Sequence, residues 1–352
     1  APDCGNTVAQ AANDGPDAPV SEEITPTRSD AVDNVASIQA ESLRVLANRA
    51  DVLWQRAVKT LKARDNHFPA VHLSYWDSYG NKPEPSPPIG WSGPRFKTVE
   101  RSFLNPLSDA GKVVAKMTEL GFADRVPKTY ASVHDALNEQ PKTDDLWFIR
   151  SQFRGTNDKT LCLPTPIMAA ATVPSGHLLQ KAVDGLALID QHKFTARFYI
   201  VAVSGRLMCY EDSVVFIHGA DYAPNDANHA SQVDNRSYRD AGSYIKLVPG
   251  SQTRHAGTLT KAAQTLAADM AGLLGEVRQA SVSGVSEENR FAVLAIDTLL
   301  TKSGDLKLLR IHTFPNFITT AQIDADVHVP LFEDVLRVMA DIPSRKLATI
   351  TD

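Results

Sequence analysis

Asp297, Arg310 and His312 are the residues whose types and spacing carry chemistry most directly. Phe291 to Leu300 and Leu306 to His312 are two apolar, β-branched runs joined by Lys302-Ser303-Gly304-Asp305, the pattern of an antiparallel strand pair with a short turn. Alternate residues of a strand share a face, so Arg310 and His312 are expected to project together toward Asp297 on the strand before. A guanidinium so placed donates to the carboxylate or reaches into a cleft beside it. Arg150, Lys181, Lys193 and Arg197 lie in or beside other strand-like runs, and together with Arg310 they can hold phosphate or carboxylate groups. A plainer reading stays open, in which Gln180 and Lys181 are the polar end of a strand and Lys193 and Arg197 a solvated face.

The elements that must position these groups are legible as short runs. Leu146 to Ser151, His177 to Lys181, Phe194 to Val203, Arg206 to Tyr210 and Val214 to His218 are rich in β-branched and aromatic residues and are broken by Gly, Asn and Asp, as strands are. Helices are predicted from Ser108 to Leu120, stopped by Gly121, near Val133 to Leu137, and from Thr258 or Thr260 to about Arg278. The fold class expected is α+β, with residues 125–345 as the main domain. Upstream, apolar residues between Asp30 and Arg64 recur at three- and four-residue steps and predict one long helix or two joined ones. An aromatic segment, His72 to Tyr79, and a proline-rich strap, Lys82 to Pro94, follow. Residues 29–124 thus read as a helical N-terminal region with a strap, and residues 1–28 as a polar extended tail that becomes ordered only against another surface.

Composition narrows the function. At 352 residues the chain is long enough for about two domains, and 43% hydrophobic against 22% charged residues is the balance of a globular protein. Lys plus Arg number 36 against 41 Asp plus Glu, a net charge of −5 that speaks against nucleic acid as a partner. Cys4, Cys162 and Cys209 are odd in number and far apart, which fits a reducing compartment rather than a disulfide scaffold or zinc site. No apolar run approaches the roughly 18 residues of a spanning helix, so no transmembrane segment is expected and the protein reads as soluble. The chain opens on Ala1 with no apolar signal segment. That fits a processed protein of the mitochondrial interior, with the cytoplasm as the alternative.

Common signatures are missing: there is no GxGxxG, GxxxxGK[ST], GxSxG or HExxH. His67 and His72 are five apart, the wrong spacing for a metal pair on one helix face. Asn235-Arg236-Ser237 matches a glycosylation sequon, a triplet common by chance. What stands out is a set of segments in order between Val126 and Phe317: VPKTYASVHDAL, LWFIRSQFRGTND, LLQKAVDGLALIDQHKFTARFYIVAV, HASQ, FAVLAIDTLL and LLRIHTFPNF. This set resembles the ATP-grasp domain of the tubulin-tyrosine ligase-like family, most closely from Leu178 to Val203. Nothing similar covers the first hundred or so residues.

The resemblance implies roles residue by residue. The family's Gln-Lys pair beside adenine falls on Gln180 and Lys181, its Lys-Phe-Asp-x-Arg on Lys193, Phe194, Thr195 and Arg197, and its phosphate-binding Lys on Arg150. Arg150, Gln180, Lys181 and Lys193 would then contact nucleotide, Arg197 and Arg310 would face the reacting groups, and Asp297 would be the first metal carboxylate. Departures accompany these matches. The Asp becomes Thr195, the phosphate-covering loop Phe153 to Lys159 keeps one glycine, Gly155, and the Glu and Asn of the last strand become Arg310 and His312. A guanidinium in place of a carboxylate changes the local charge by two units. A unit pair at 4 Å and an effective dielectric of 20 is worth about 4 kcal/mol, so a Mg²⁺ beside Arg310 is strongly disfavoured.

Two functions follow. The first is a degenerate ATP-grasp protein serving as a structural or interaction subunit of a larger assembly, with other protein subunits as partners and no cofactor expected. The second is an active ATP-dependent carboxylate–amine ligase that modifies a peptide or amino acid and needs ATP and Mg²⁺. The basic pocket also fits a nucleotide or an anionic small molecule held without chemistry.

Overall fold

The computed structural model of the chain describes residues 43–77, 84, 93–142, 144–152, 162–166, 172–233, 245–282, 288–317 and 319–350. The polar tail 1–28, the start of the N-terminal helix, nearly all of the proline strap and the loop from Phe153 to Lys159 lie outside these residues. Residues Ser42–Asp352 make one compact unit.

The described chain opens with β1 (Leu43–Ala47), where a helix was expected. Leu43 and Leu46 satisfy a helical step, but Leu43 and Val45 also alternate, and pairing with the next strand decides the matter. Ala50, at φ 54° in the left-handed region, turns the chain into α1 (Asp51–Arg64), which lies within the expected helical range. β2 (Val71–Tyr75) runs parallel to β1, and β3 (Arg95–Thr98) runs parallel to β2. A helix that the sequence did not signal, α2 (Arg101–Ser108), precedes α3 (Ala110–Glu119), which is the helix expected from Ser108 to Leu120. Asp109 is extended between them and caps α3 by accepting from the amides of Gly111 and Lys112.

A small antiparallel sheet follows, built from β4 (Thr129–Tyr130), β5 (Leu146–Ser151), β6 (Cys162–Pro166) and β7 (His177–Lys181) in the order β4-β7-β5-β6, with α4 (Val133–Leu137) beside β4. The chain then enters the large sheet through β8 (His192–Val203), β9 (Arg206–Tyr210) and β10 (Val214–Asp221). After α5 (His229–Gln232) and β11 (Lys246–Pro249) come α6 (Ala256–Asp269) and α7 (Gly275–Ala280). The sequence predicted one helix across these last two. The chain breaks near Gly272, where any side chain would press within 3.1 Å of Leu120, while Leu266, Met270, Leu274 and Val277 of the expected stripe are all buried.

β12 (Glu288–Leu300) and β13 (Leu306–His312) form the expected antiparallel pair. A π-helical turn, Asp324–His328, leads into α8 (Val329–Met339), and β14 (Leu347–Thr349) closes the chain on β9. The large sheet has the order β1-β2-β3-β12-β8-β10-β11, with β13, β9 and β14 added off that path. The class is α+β, and the sheet draws strands from both sides of residue 125, because β3 pairs directly with β12.

Alternation along the two long strands sets up the site. In β8, Tyr199, Val201 and Val203 pack in one core cluster with α1 and α8, while Phe198, Ile200 and Ala202 pack in a second with α6 and α7. β12 does the same with Phe291, Val293 and Ala295 against Ala292, Leu294 and Ile296. Each strand continues past the first cluster, so Lys193, Thr195 and Arg197 of β8 and Asp297 and Leu299 of β12 lie on the same faces as those core residues but beyond them.

Candidate functional site

A cavity of about 140 Å³ lies where the small sheet meets that uncovered stretch of the large one. β5 contributes Phe148 and Arg150, and β7 contributes Gln180 and Lys181. From the large sheet come Lys193 and Thr195 of β8, His218 of β10, Asp297 and Leu299 of β12, and Leu309 and Arg310 of β13, with Gln232 of α5 closing one side. Residues more than 160 positions apart are thus gathered around one cavity. Of the seven residues singled out from sequence, Arg150, Gln180, Lys181, Lys193, Asp297 and Arg310 line this one cavity. Arg197 does not line it but reaches it through Asp297.

Asp297 occupies the middle strand of three, opposite Arg197 on β8 and opposite Arg310 on β13. It bonds to the first. Arg197 Nε donates to Oδ1 at 2.6 Å and a terminal guanidinium nitrogen donates to Oδ2 at 2.9 Å, the planar two-point geometry of a strong charge-assisted pair. His312 Nε2 lies 2.6 Å from Oδ2 on the other side. Burial pushes the Asp297 carboxyl up, but the Arg197 guanidinium and the His312 ring outweigh it and hold the group far below the usual carboxylate range. The Arg197 guanidinium also lies 5.1 Å from the centre of the Phe216 ring, which fixes it from the side opposite β12.

Arg310 is not the partner of Asp297 but takes the other place open to it and lines the cavity. The register between β12 and β13 shifts by one residue after Asp297, with Thr298 opposite Leu308. This bulge brings the consecutive residues Leu309 and Arg310 to the same wall. Among the described residues the Arg310 side chain has neither an ion pair nor a hydrogen bond.

The remaining cations are tethered. Arg150 is 5% exposed and donates to Gln180 Oε1 at 2.8 Å and to the Leu309 carbonyl at 3.0 Å, which ties the small sheet to β13. Gln180 in turn donates to Thr129 Oγ1 at 3.0 Å. Lys193, also 5% exposed, donates to the carbonyl of Gln232 at 2.9 Å and to its Oε1 at 3.2 Å, and lies 4.9 Å from the centre of the Phe148 ring. Lys181 pairs with Asp145 at 2.9 Å, and Lys181 leads the causes, with burial opposing, that hold that carboxyl below its ordinary value.

Sequence reasoning did not single out His218. Its Nδ1 lies 3.1 Å from the Ser231 carbonyl, and its Nε2 lies 3.3 Å from Thr195 Oγ1. The available signal was the alternation Val214, Phe216, His218, which puts the imidazole on the face of β10 that meets Lys193, Thr195 and Arg197.

A divalent ion would need carboxylate or imidazole ligands free to coordinate it. Among the described residues no group of three His, Cys, Asp or Glu side chains is arranged to hold one. Asp297, the only carboxylate among the described residues that line the cavity, already has both oxygens engaged. The residues present therefore do not fit Mg²⁺. They do fit an anion, since Arg150, Lys193 and Arg310 line the cavity together with Lys181, which Asp145 pairs, and the one carboxylate among the described lining residues is already bound. Among the described residues no helix is long and apolar enough to cross a membrane. Comparison with models of known protein families gives no match, and comparison with curated proteins finds no relative.

Proposed function

We propose that this chain is a degenerate ATP-grasp protein, similar to tubulin-tyrosine ligase-like domains, whose cleft no longer supports metal-dependent phosphoryl transfer and which acts as an interaction subunit of a larger assembly. The observation that carries this reading is the closure of Asp297 by Arg197 and His312. Ligases of this kind form an acyl phosphate from ATP and a carboxylate, and the transferred phosphoryl group is oriented and neutralised by metal ions bridging its oxygens. A carboxylate locked to a guanidinium offers no such bridge, and Arg310 adds a positive charge where a metal would be repelled.

The placement of Arg150, Gln180, Lys181 and Lys193 around one cavity favours a second reading, an active carboxylate–amine ligase that has kept its nucleotide contacts. The two are separated by measuring ADP release from Mg-ATP with a panel of amino acids and short peptides. The degenerate reading expects no release above the rate without protein. Turnover that disappears in Asp297→Ala would establish the ligase instead.

A further inference from the structure

Arg310 poses a question that the paired aspartate does not answer. It is a guanidinium on the wall of a cavity, with no ion pair or side-chain hydrogen bond among the described residues, and it stands beside Arg150 and Lys193, beside Lys181 in its pair with Asp145, and beside a carboxylate already bound by Arg197 and His312. Concentrating positive charge in a partly desolvated pocket is unfavourable unless an anion joins it. Arg150 and Lys193 are held in place by Gln180, by the Leu309 carbonyl and by Gln232, so the charge is preorganised and binding need not order it. Arg310, with its planar fork, is the group left to grip an oxyanion at two points.

The rest of the wall limits what carries that anion. Phe148, Leu299, Leu309 and Val233 supply apolar surface beside the charges. The volume of about 140 Å³ is close to the roughly 150 Å³ apolar cavity that accepts a benzene ring. Thr195 adds one polar point, a hydroxyl 3.3 Å from His218 Nε2 that can both donate and accept.

We propose that this cavity binds a small aromatic acid without a metal ion, the ring lying among Phe148, Leu299 and Leu309 and the oxyanion, carboxylate or phosphate, bound by Arg310. The site rests on the closure of Asp297, the same observation that supports the degenerate reading, but it makes its own demand, a ligand rather than the loss of one.

Calorimetric titration of the full chain with benzoate, phenyl phosphate and inorganic phosphate, each in EDTA and again with Mg²⁺, tests it. Saturable one-site binding of benzoate or phenyl phosphate in EDTA is expected, and whichever binds tighter identifies the oxyanion. Inorganic phosphate should bind at least about tenfold more weakly because it leaves the apolar wall unused. Arg310→Gln should weaken the aromatic acid by about tenfold or more, and Arg310→Lys by less. Raising NaCl from about 0.05 to 0.5 M should weaken wild-type binding several-fold, a readout that depends on no variant. Failure of both aromatic acids to bind in either buffer overturns the inference and leaves the degenerate reading standing. Binding that requires Mg²⁺ overturns both together. Unchanged affinity in a folded Arg310→Gln, insensitivity to salt, or inorganic phosphate binding as tightly as phenyl phosphate each overturns the proposed mode.

Discussion

Asp297 and Arg197 face each other directly across the ladder between β12 and β8 and meet through two hydrogen bonds of 2.6 and 2.9 Å. Both side chains are largely buried, with 14% and 15% of their surfaces exposed. Removing one partner leaves the other charge in a low-dielectric setting, which costs about 3 to 5 kcal/mol. Asp297→Ala should therefore lower the free energy of urea unfolding by about that amount. The double variant Asp297→Leu with Arg197→Met, which removes both charges, should recover a large part of the loss. A loss below about 1 kcal/mol in the single variant, the value of an exposed pair, would contradict a buried ion pair.

The same pair sets an acid limit. With its folded pKa held below the unfolded value of about 3.9, Asp297 contributes its full stability above that pH, and the contribution drains away as pH falls toward the folded value. The unfolding free energy should drop as pH is lowered from about 5 to about 3, and the drop should be shallower in Asp297→Asn. Equal slopes in the two proteins would mean that Asp297 is not held in this way.

How far the sequence carried this account is seen in the same residues. Leu146 to Ser151, His177 to Lys181 and Leu306 to His312 lie on the expected ranges, because short apolar runs bounded by turn residues leave little choice. β1 was missed because its leucines satisfy a helical step as well as a strand, and only pairing with Val71 to Tyr75 distinguishes them. The short turn places Arg310 and His312 beside Asp297, and the structure sets Arg310 opposite it and His312 within hydrogen-bond distance of it. A residue in a central strand has neighbours on both sides, however, and the guanidinium that bonds Asp297, that of Arg197, is 100 positions away. Long-range strand order of that kind is not encoded in local spacing.

Cys209 gives a chemical check on the core. It is 1% exposed within β9, and burial, with a smaller effect from Glu211, pushes its thiol up to about 12. Reactivity follows the thiolate fraction and access, both of which are minimal here. Peptide mapping after iodoacetamide treatment near pH 8 should find Cys209 unmodified in the folded chain and modified in urea. Rapid labelling under native conditions would place the thiol outside the core.

The turn between β8 and β9 is two residues, Ser204 and Gly205, at φ 48° and 76°. That is the left-handed geometry of a tight hairpin turn, and glycine adopts it without strain. A Cβ at Gly205 would also stand 2.9 Å from Val282 Cγ2. Gly205→Ala should destabilise the chain by about 1 to 2 kcal/mol, read as a lower thermal midpoint. Adding Val282→Ala should relieve the contact but not the backbone strain. Full recovery in the double variant would show that the backbone carries no strain.

The central claim, that the Asp297 site is closed to metal by Arg197 and His312, is tested most directly by calorimetric titration of the chain with ATP, once in excess Mg²⁺ and once in EDTA. The closed site predicts that Mg²⁺ brings no gain in affinity. Micromolar binding that appears only with Mg²⁺, and that is lost in Asp297→Asn, would show a metal on Asp297 and contradict it.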